Sequence, residues 1–328
     1  MQKGRTSNTP STTKAHVIHR VVADDDDGCR LDRWLQRHFA TLPRDMAGKL
    51  YRTGQIRVDG KRARGDTRLG AGQTLRLPPQ LSVLPAETPK PPPADSQTLV
   101  QKLSGLILFQ NHDLIAINKP AGLAVQGGMG IDDHLDGWLQ AWAHHKKQPL
   151  KLVHRLDRDT SGLLLLAKGA RAANTLAAMF RDKNMHKVYW AVVHGKPPHP
   201  QGVISAPLIK RGETMAVAKP GTAGAQAATT RYVVLHTTGD YSWLELQPET
   251  GRTHQLRVHC LHMGCPIVGD PLYGRKKFPL TDAQKKAGLH LHAVHMVFSL
   301  DGKKTISLSA PLPPLRRKAW QNAGFQPK

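Results

Sequence analysis

Cysteine is nearly missing from this chain. Three residues in 328, Cys29, Cys260 and Cys265, are too few and too unevenly spaced for a disulfide framework, so a reducing cytoplasm is the expected setting. Long apolar runs are missing too. No uncharged stretch reaches the roughly eighteen residues that a membrane-spanning helix needs, and no basic amphipathic helix is long enough to suggest residence on a bilayer surface. Acid is scarce: 24 Asp and Glu stand against 47 Lys and Arg, a formal charge of +23. That imbalance implies a polyanionic partner, with nucleic acid the default. A basic structural protein of the ribosome would carry the same charge, so composition leaves catalysis open. His254, His259, Cys260, His262 and Cys265 crowd one region, but neither a paired C-x-x-C nor an H-E-x-x-H pattern accompanies them. No metal is expected there.

The chain divides by composition. Residues 1–14 open a basic, Ser- and Thr-containing arm without acid, which reads as disordered. It lacks the apolar core of a secretory signal, while a mitochondrial presequence stays open as a minor alternative. Residues 15–80 form a first, small domain. Leu31, Trp34, Leu35 and Phe39 recur at helical spacing, with Arg30, Arg33 and Arg37 outside the stripe. A second helix is expected over about 44–53, with Met46 and Leu50 inward and Gly54 as its stop. Ile56 and Val58 then alternate with polar residues into Asp59-Gly60, a tight-hairpin signal. Leu69, Leu75 and Leu77 suggest further short strands. Residues 28–80 hold twelve Lys or Arg against four Asp, a net +8 suited to gripping an RNA backbone; an ordinary solvated basic face would look similar. Arg30-Leu31-Asp32-Arg33-Trp34-Leu35 followed by Gly54-Gln55-Ile56-Arg57-Val58-Asp59-Gly60-Lys61 resembles the RNA-binding domain named after ribosomal protein S-four. The resemblance implies an α/β module binding RNA through residues such as Arg30, Arg33, Arg57 and Lys61. The usual Asn before the turn glycine is Asp59 here, which keeps the turn chemistry.

Seven prolines between positions 78 and 97 exclude a helix or central strand there, so 81–97 is expected to be a semi-rigid linker. Residues 98–328 form the second, larger domain. Leu106 to Phe109 and Leu114 to Ile117 flank Asn111-His112-Asp113 and read as a hairpin, closed by Asn118-Lys119-Pro120-Ala121-Gly122-Leu123. Leu135, Trp138, Leu139 and Trp142 mark a helix with a core stripe. A further helix is expected near 172–180 and strands at 187–193, 231–235 and 243–246. The region 198–224 reads as mostly loop, with strand candidates around Val203 and Val217.

The centre of the chain is Val153-His154-Arg155-Leu156-Asp157-Arg158-Asp159-Thr160-Ser161-Gly162 leading into Leu163 to Leu166. Asp157 and Asp159 sit among Arg155, Arg158 and His154, and the apolar run suits a buried strand. A charged loop feeding a buried strand gives a reactive group rigid support, although a surface loop of local ion pairs has the same composition. His154 to Gly162 resembles the active-site motif of the RluA-like pseudouridine synthases. Asn118 to Leu123, Lys187-Val188-Tyr189-Trp190-Ala191, Thr250 to His259 and Leu289 to Ala293 also resemble sequences of that family, in the expected order.

Several expectations follow from this resemblance. The fold would be α+β, a mixed, mostly antiparallel sheet flanked by helices. The reaction would isomerise uridine to pseudouridine in RNA, with large-subunit ribosomal RNA favoured over transfer RNA, and the chemistry needs no redox or group-carrying cofactor. Asp157 would be the catalytic carboxylate; attack on the sugar, attack on the base and abstraction of a sugar proton all stay open. Arg257 would hold that carboxylate ionised, Tyr189 would pack against the flipped uracil, and Arg155 would fill the space the base leaves. Asp159, beside Thr160, would cap the turn. A helix from about Arg252 would place His254 and Arg257 on one face. One copy of the chain is expected to suffice.

Overall fold

The structure is a computed structural model that describes residues 16–39, 41–82, 95–127, 133–219, 221–274, 278, 282–300 and 304–327. The expected basic arm at 1–14 and the linker core at 83–94 lie outside these. The chain forms two compact units, Met1–Pro91 and Pro92–Lys328.

In the first unit, β1 (Ile18–Val21), β4 (Thr74–Leu77), β2 (Arg57–Val58) and β3 (Lys61–Arg62) pair in that order, all antiparallel, and α1 (Leu31–His38) and α2 (Arg44–Arg52) complete it. The apolar spacing of α1 works as read: Leu31, Trp34 and Leu35 are buried with Phe39, Leu50 and Ile56 in one core. Asp59 and Gly60 both adopt positive φ, 46° and 77°, the backbone that a two-residue hairpin between right-twisted strands requires. Leu69 is buried but lies outside any strand. Arg37, expected among the solvated cations, reaches back to the buried carboxylate of Asp26, which also accepts from Trp34 Nε1 at 2.9 Å and meets His38 Nε2 at 3.0 Å.

The second unit opens with α3 (Ser96–Ser104), which begins inside the segment expected to be linker; no proline follows Pro93 there, so nothing opposes a helix. Then come β5 (Ile107–Gln110), β6 (Leu114–Lys119), α4 (Leu135–Lys146), β7 (Leu150–Leu152), β8 (Ser161–Lys168), α5 (Gly169–Arg181) and β9 (Met185–His194). The region expected to be mostly loop holds three strands, β10 (Gln201–Ser205), β11 (Leu208–Arg211) and β12 (Thr214–Val217), the last two forming a separate hairpin. β13 (Thr229–Thr238), β14 (Tyr241–Pro248), α6 (Gln255–His262), α7 (Asp282–Ala287), β15 (Leu291–Ser299), β16 (Thr305–Ser309) and α8 (Pro314–Asn322) complete the unit.

The main sheet runs β10-β13-β14-β9-β15-β8-β6-β5, with β16 on β15 and β7 on β8. It is antiparallel except where β8 and β15 run parallel, Ser161 beside His292 and Gly162 beside Ala293. This is the α+β, mostly antiparallel architecture expected. β8 is apolar without alternation because both its faces are covered. Leu164 and Leu166 pack with Leu135, Trp138 and Leu139 of α4, and Leu163 and Leu165 with Leu176 of α5. Gly162 is fixed by the parallel pair: its φ is +113°, and a Cβ there would lie 2.2 Å from the Ala293 carbonyl oxygen.

Candidate active site

Residues 153–160 form the loop between β7 and β8, and three contacts fix its shape. Thr160 N–H donates to the Asp157 carbonyl (3.1 Å), and Gly122 N–H donates to the Arg158 carbonyl (2.9 Å). Buried Leu156 plugs the loop into the core beneath α4. Lys119, fully buried at the end of β6, adds a strap: its Nζ donates to the carbonyls of Pro120 (2.9 Å), Leu123 (2.8 Å) and Arg158 (2.9 Å). Burial pulls its pKa down to about 7. The three acceptors match the three N–H bonds of an ammonium and favour keeping its proton. The Asn-Lys-Pro turn of residues 118–120 therefore braces the loop that carries Asp157.

The cation cluster read around Asp157 is different in space. His154 is not a cation: its Nε2 accepts from Leu165 N–H (2.9 Å), its ring stacks on Phe180 at 4.4 Å, and burial pushes its pKa down to about 3. Arg158 turns to its neighbour Asp159 at 3.0 Å, and Arg155 is exposed. The Asp159 carboxylate accepts from its neighbour Arg158 rather than from a backbone N–H of the turn, so the expected capping role is not seen among the described residues. The ion-pair partner of the Asp157 carboxylate comes from far along the chain. Arg257 Nη1 lies 3.7 Å from Asp157 Oδ2, with the Arg257 side chain 3% exposed and that of Asp157 21% exposed.

Arg257 is held from behind. Its Nε and Nη2 each donate at 2.8 Å to the two oxygens of Asp270, a bidentate pair. Asp270 is fixed in turn by the N–H groups of Leu272 (2.8 Å) and Tyr273 (3.0 Å). The preceding Gly269 has φ +76°, and a Cβ there would lie 1.9 Å from the Gly288 carbonyl oxygen, so the backbone packs too closely for another residue. The Tyr273 ring lies 5.0 Å from the Arg257 guanidinium, and its hydroxyl meets His254 Nδ1 at 2.8 Å. Burial works against the Arg257 charge, but the hydrogen bond and charge of Asp270, with Asp157 behind them, raise its pKa overall.

α6 starts at Gln255 rather than near Arg252. His254 sits before it in left-handed backbone, φ +52°, so His254 and Arg257 do not share a helical face. Gln255 explains the late start, since its Oε1 accepts from Thr250 Oγ1 (2.7 Å) and Arg252 N–H (3.0 Å) and holds the incoming chain as a loop. Three of the residues weighed for zinc are engaged otherwise. His259 uses both ring nitrogens, on Thr230 Oγ1 (2.9 Å) and the Ala206 carbonyl (3.1 Å), and Cys260 and Cys265 are packed in an apolar cluster.

Tyr189 stands half-buried on β9. Burial pushes its phenol pKa up, and the charge of Asp157 adds to this. Asp157, Tyr189, Arg257, Arg155 and Lys187 line one cleft of about 870 Å3. A carboxylate, paired with a guanidinium that is itself locked, thus faces a cavity with one aromatic wall. In the first unit Arg33 and Lys61 are exposed, Arg57 Nη1 donates to the Gly60 carbonyl (3.0 Å), and Arg30 is engaged by Asp32 at 2.6 Å.

The profile of the RNA pseudouridylate synthase family matches residues 113–262. The ribosomal large subunit pseudouridine synthase C of Vibrio vulnificus (strain CMCP6) is 33% identical over 312 residues, which cover 94% of this chain and 97% of that protein. The chain belongs to the RluA-like family of RNA pseudouridine synthases. Other relatives of this synthase include the protein of the same name from Escherichia coli (strain K12), 33% identical over 301 residues, 89% of this chain and 92% of that one. RNA pseudouridine synthase 4, mitochondrial, of Arabidopsis thaliana is 38% identical over 286 residues, covering 74% of this chain and 59% of that protein. Among solved structures, human RNA pseudouridylate synthase domain containing 4 superposes with a TM-score of 0.60 at 31% identity, over 71% of this chain and 98% of that one. Two members of the synthase's site escaped the sequence reading. Asp270 lies outside the motifs, and its signal in the sequence is a lone carboxylate between Gly269 and Pro271. Lys119 lies in the Asn-Lys-Pro turn, and its signal in the sequence is a lysine ending an otherwise apolar strand.

Proposed function

We propose that this synthase isomerises a uridine of large-subunit ribosomal RNA, with Asp157 as the reacting carboxylate. The observation that carries this reading is the relay Asp270–Arg257–Asp157 at the cleft, in which two buried groups serve to orient one accessible acid. The target uridine must leave its stack, at a cost of a few kcal/mol. Exposed Arg155, two residues before Asp157, occupies the vacated place in the RNA, and Tyr189 packs against the flipped base. The ribosomal substrate is supported by the names of the Vibrio and Escherichia relatives, which this chain matches along nearly their full lengths. The first unit acts as a ribosomal-protein-S-four-like RNA-binding module through Arg33, Arg57 and Lys61, with Arg30 released to RNA from Asp32. The protein works as a single copy in the cytoplasm.

Mapping pseudouridines in cellular RNA with and without this protein tests the substrate. Loss of a site in transfer RNA alone would overturn the ribosomal reading. Asp157→Asn tests the carboxylate: it is nearly isosteric but cannot attack or take a proton, so turnover should vanish while RNA affinity survives. Asp159→Asn, whose carboxylate pairs with exposed Arg158, should lose far less. Near-normal pseudouridine formation by Asp157→Asn would sink the assignment.

A further inference from the structure

The cleft contains a cation that the proposed chemistry does not use. Lys187 stands on β9 two residues before Tyr189. Successive strand residues alternate faces, so Lys187 and Tyr189 project from the same side, about 7 Å apart at roughly 3.3 Å per residue. Both line the cleft. The geometry of the sheet explains why the cleft opens there. β14 pairs with β9 from His194 back to Tyr189, opposite Leu246, and the ladder ends at that point. The chain that follows, through Gln247, Thr250 and Arg252, forms a wall of the same cleft. Lys187 therefore occupies the first inward position beyond the ladder's end.

Its ammonium has no ion-pair partner among the described residues, and the carboxylates of the cleft are engaged elsewhere. Asp157 faces Arg257 at 3.7 Å, and Glu249 faces Arg231 at 2.6 Å. Partial burial lowers the Lys187 pKa, and no neighbouring acid raises it again. The charge lies close enough to His154 to depress the histidine further. A half-buried ammonium left without a counter-ion, facing a cavity, is costly unless the ligand brings the missing charge. An uncharged base or a ribose would not supply it; a phosphodiester would.

We propose that Lys187 seats a backbone phosphate of the RNA, that of the nucleotide whose base packs on Tyr189 or of its immediate neighbour. This rests on the reading that Tyr189 receives the flipped uracil. The spacing of the two side chains along one strand then matches the reach from a base to its own backbone. Lys187 thus fixes how far the flipped nucleotide enters the cleft, while Asp157, oriented by Arg257, acts on it.

The test uses the full-length protein and a fragment of large-subunit ribosomal RNA containing the mapped uridine. Lys187→Met should weaken binding roughly tenfold, as expected for one lost charge-assisted contact. It should also flatten the dependence of log Kd on log salt by about 0.7 to 0.9, the equivalent of one phosphate. Lys187→Arg should keep the wild-type slope. Replacing the phosphate on either side of the target uridine, singly, by an uncharged methylphosphonate should weaken wild-type binding at one of the two positions and leave Lys187→Met unaffected there. Thermal melting of each variant separates lost binding from lost fold, and Lys187→Gln serves if the Met variant does not fold. A wild-type slope in the folded neutral variant, or an equal methylphosphonate effect in both proteins at both positions, would overturn the proposal. Pseudouridine formation by the wild type on the same fragment judges the substrate reading separately. Absence of product would remove that reading, while the salt slopes would still decide Lys187.

Discussion

Replacing Asp270 by Asn tests whether the site depends on the group that holds Arg257 rather than on the guanidinium alone. The Asn side chain has nearly the same volume. Its one carbonyl oxygen can still accept from the N–H groups of Leu272 and Tyr273, so the loop should keep its path. What is lost is the negative charge facing a guanidinium that is 3% exposed, from a carboxylate that is fully buried. Breaking a buried ion pair by neutralising one partner costs about 3–5 kcal/mol, because the remaining charge stays desolvated. In a unit the size of Pro92–Lys328, each kcal/mol moves the melting temperature by roughly 2–4 °C. The second unit should then melt about 6–20 °C lower. Activity should fall more than binding, since Arg257 loses its bidentate lock and no longer presents Nη1 to Asp157 in one orientation. A loss of one to two such hydrogen bonds in aim, at about 1.4 kcal/mol per decade, gives a drop in kcat of roughly ten- to a hundredfold. The measurements are calorimetric melting, RNA affinity and single-turnover pseudouridine formation. If Asp270→Asn melts with the wild type and keeps its kcat, Asp270 is a bystander and the relay argument fails.

Arg257→Lys keeps a charge but cannot span two carboxylates, so kcat should fall about ten- to a hundredfold with little change in RNA affinity; a loss of affinity at unchanged kcat would make Arg257 a phosphate contact instead. His290 and His292 are buried, and burial lowers their pKa values from 6.5 to about 3 and about 4. The unfolded chain therefore takes up protons below pH 6.5 that the folded chain refuses. The stabilisation is fully present above that pH and is lost as pH falls toward 4, at up to about 1.4 kcal/mol per pH unit for each histidine. Melting temperature should drop between pH 7 and pH 5, and a flat profile would contradict this. Residues 92–328 alone should fold and still form pseudouridine. Their RNA affinity should fall less steeply with salt than that of the full chain, because the segment 28–80 carries a net +8; equal slopes would show that the first unit does not grip the backbone.

Local pattern carried most of the element positions. Leu31, Trp34 and Leu35 repeat at helical spacing and are buried together, and Asp59-Gly60 forms the hairpin it signals. The resemblance carried by the nine residues from His154 to Gly162 pointed to Asp157 as the carboxylate proposed to react. These properties are written in neighbouring residues, so reading along the chain recovers them. The environment of Asp157 is not of that kind. Sequence placed Arg155, Arg158 and His154 around it, but Arg155 is exposed at the cleft, Arg158 pairs with Asp159, and burial against Phe180 keeps His154 neutral. Arg257 was found by resemblance, yet what it leans on, Asp270, depends on a backbone approach of Gly269 to Gly288 that no periodicity announces. The same holds for Lys119 beneath the loop, and for Arg316 of α8. Arg316 is buried against Ser161 and the Leu291 carbonyl, at the start of the two parallel strands. Burial of a charge is worth its cost only where acceptors converge on it. That convergence comes from strands and loops far apart in sequence, so the chain order determined which carboxylate to examine and the tertiary fold decided which cation aims it.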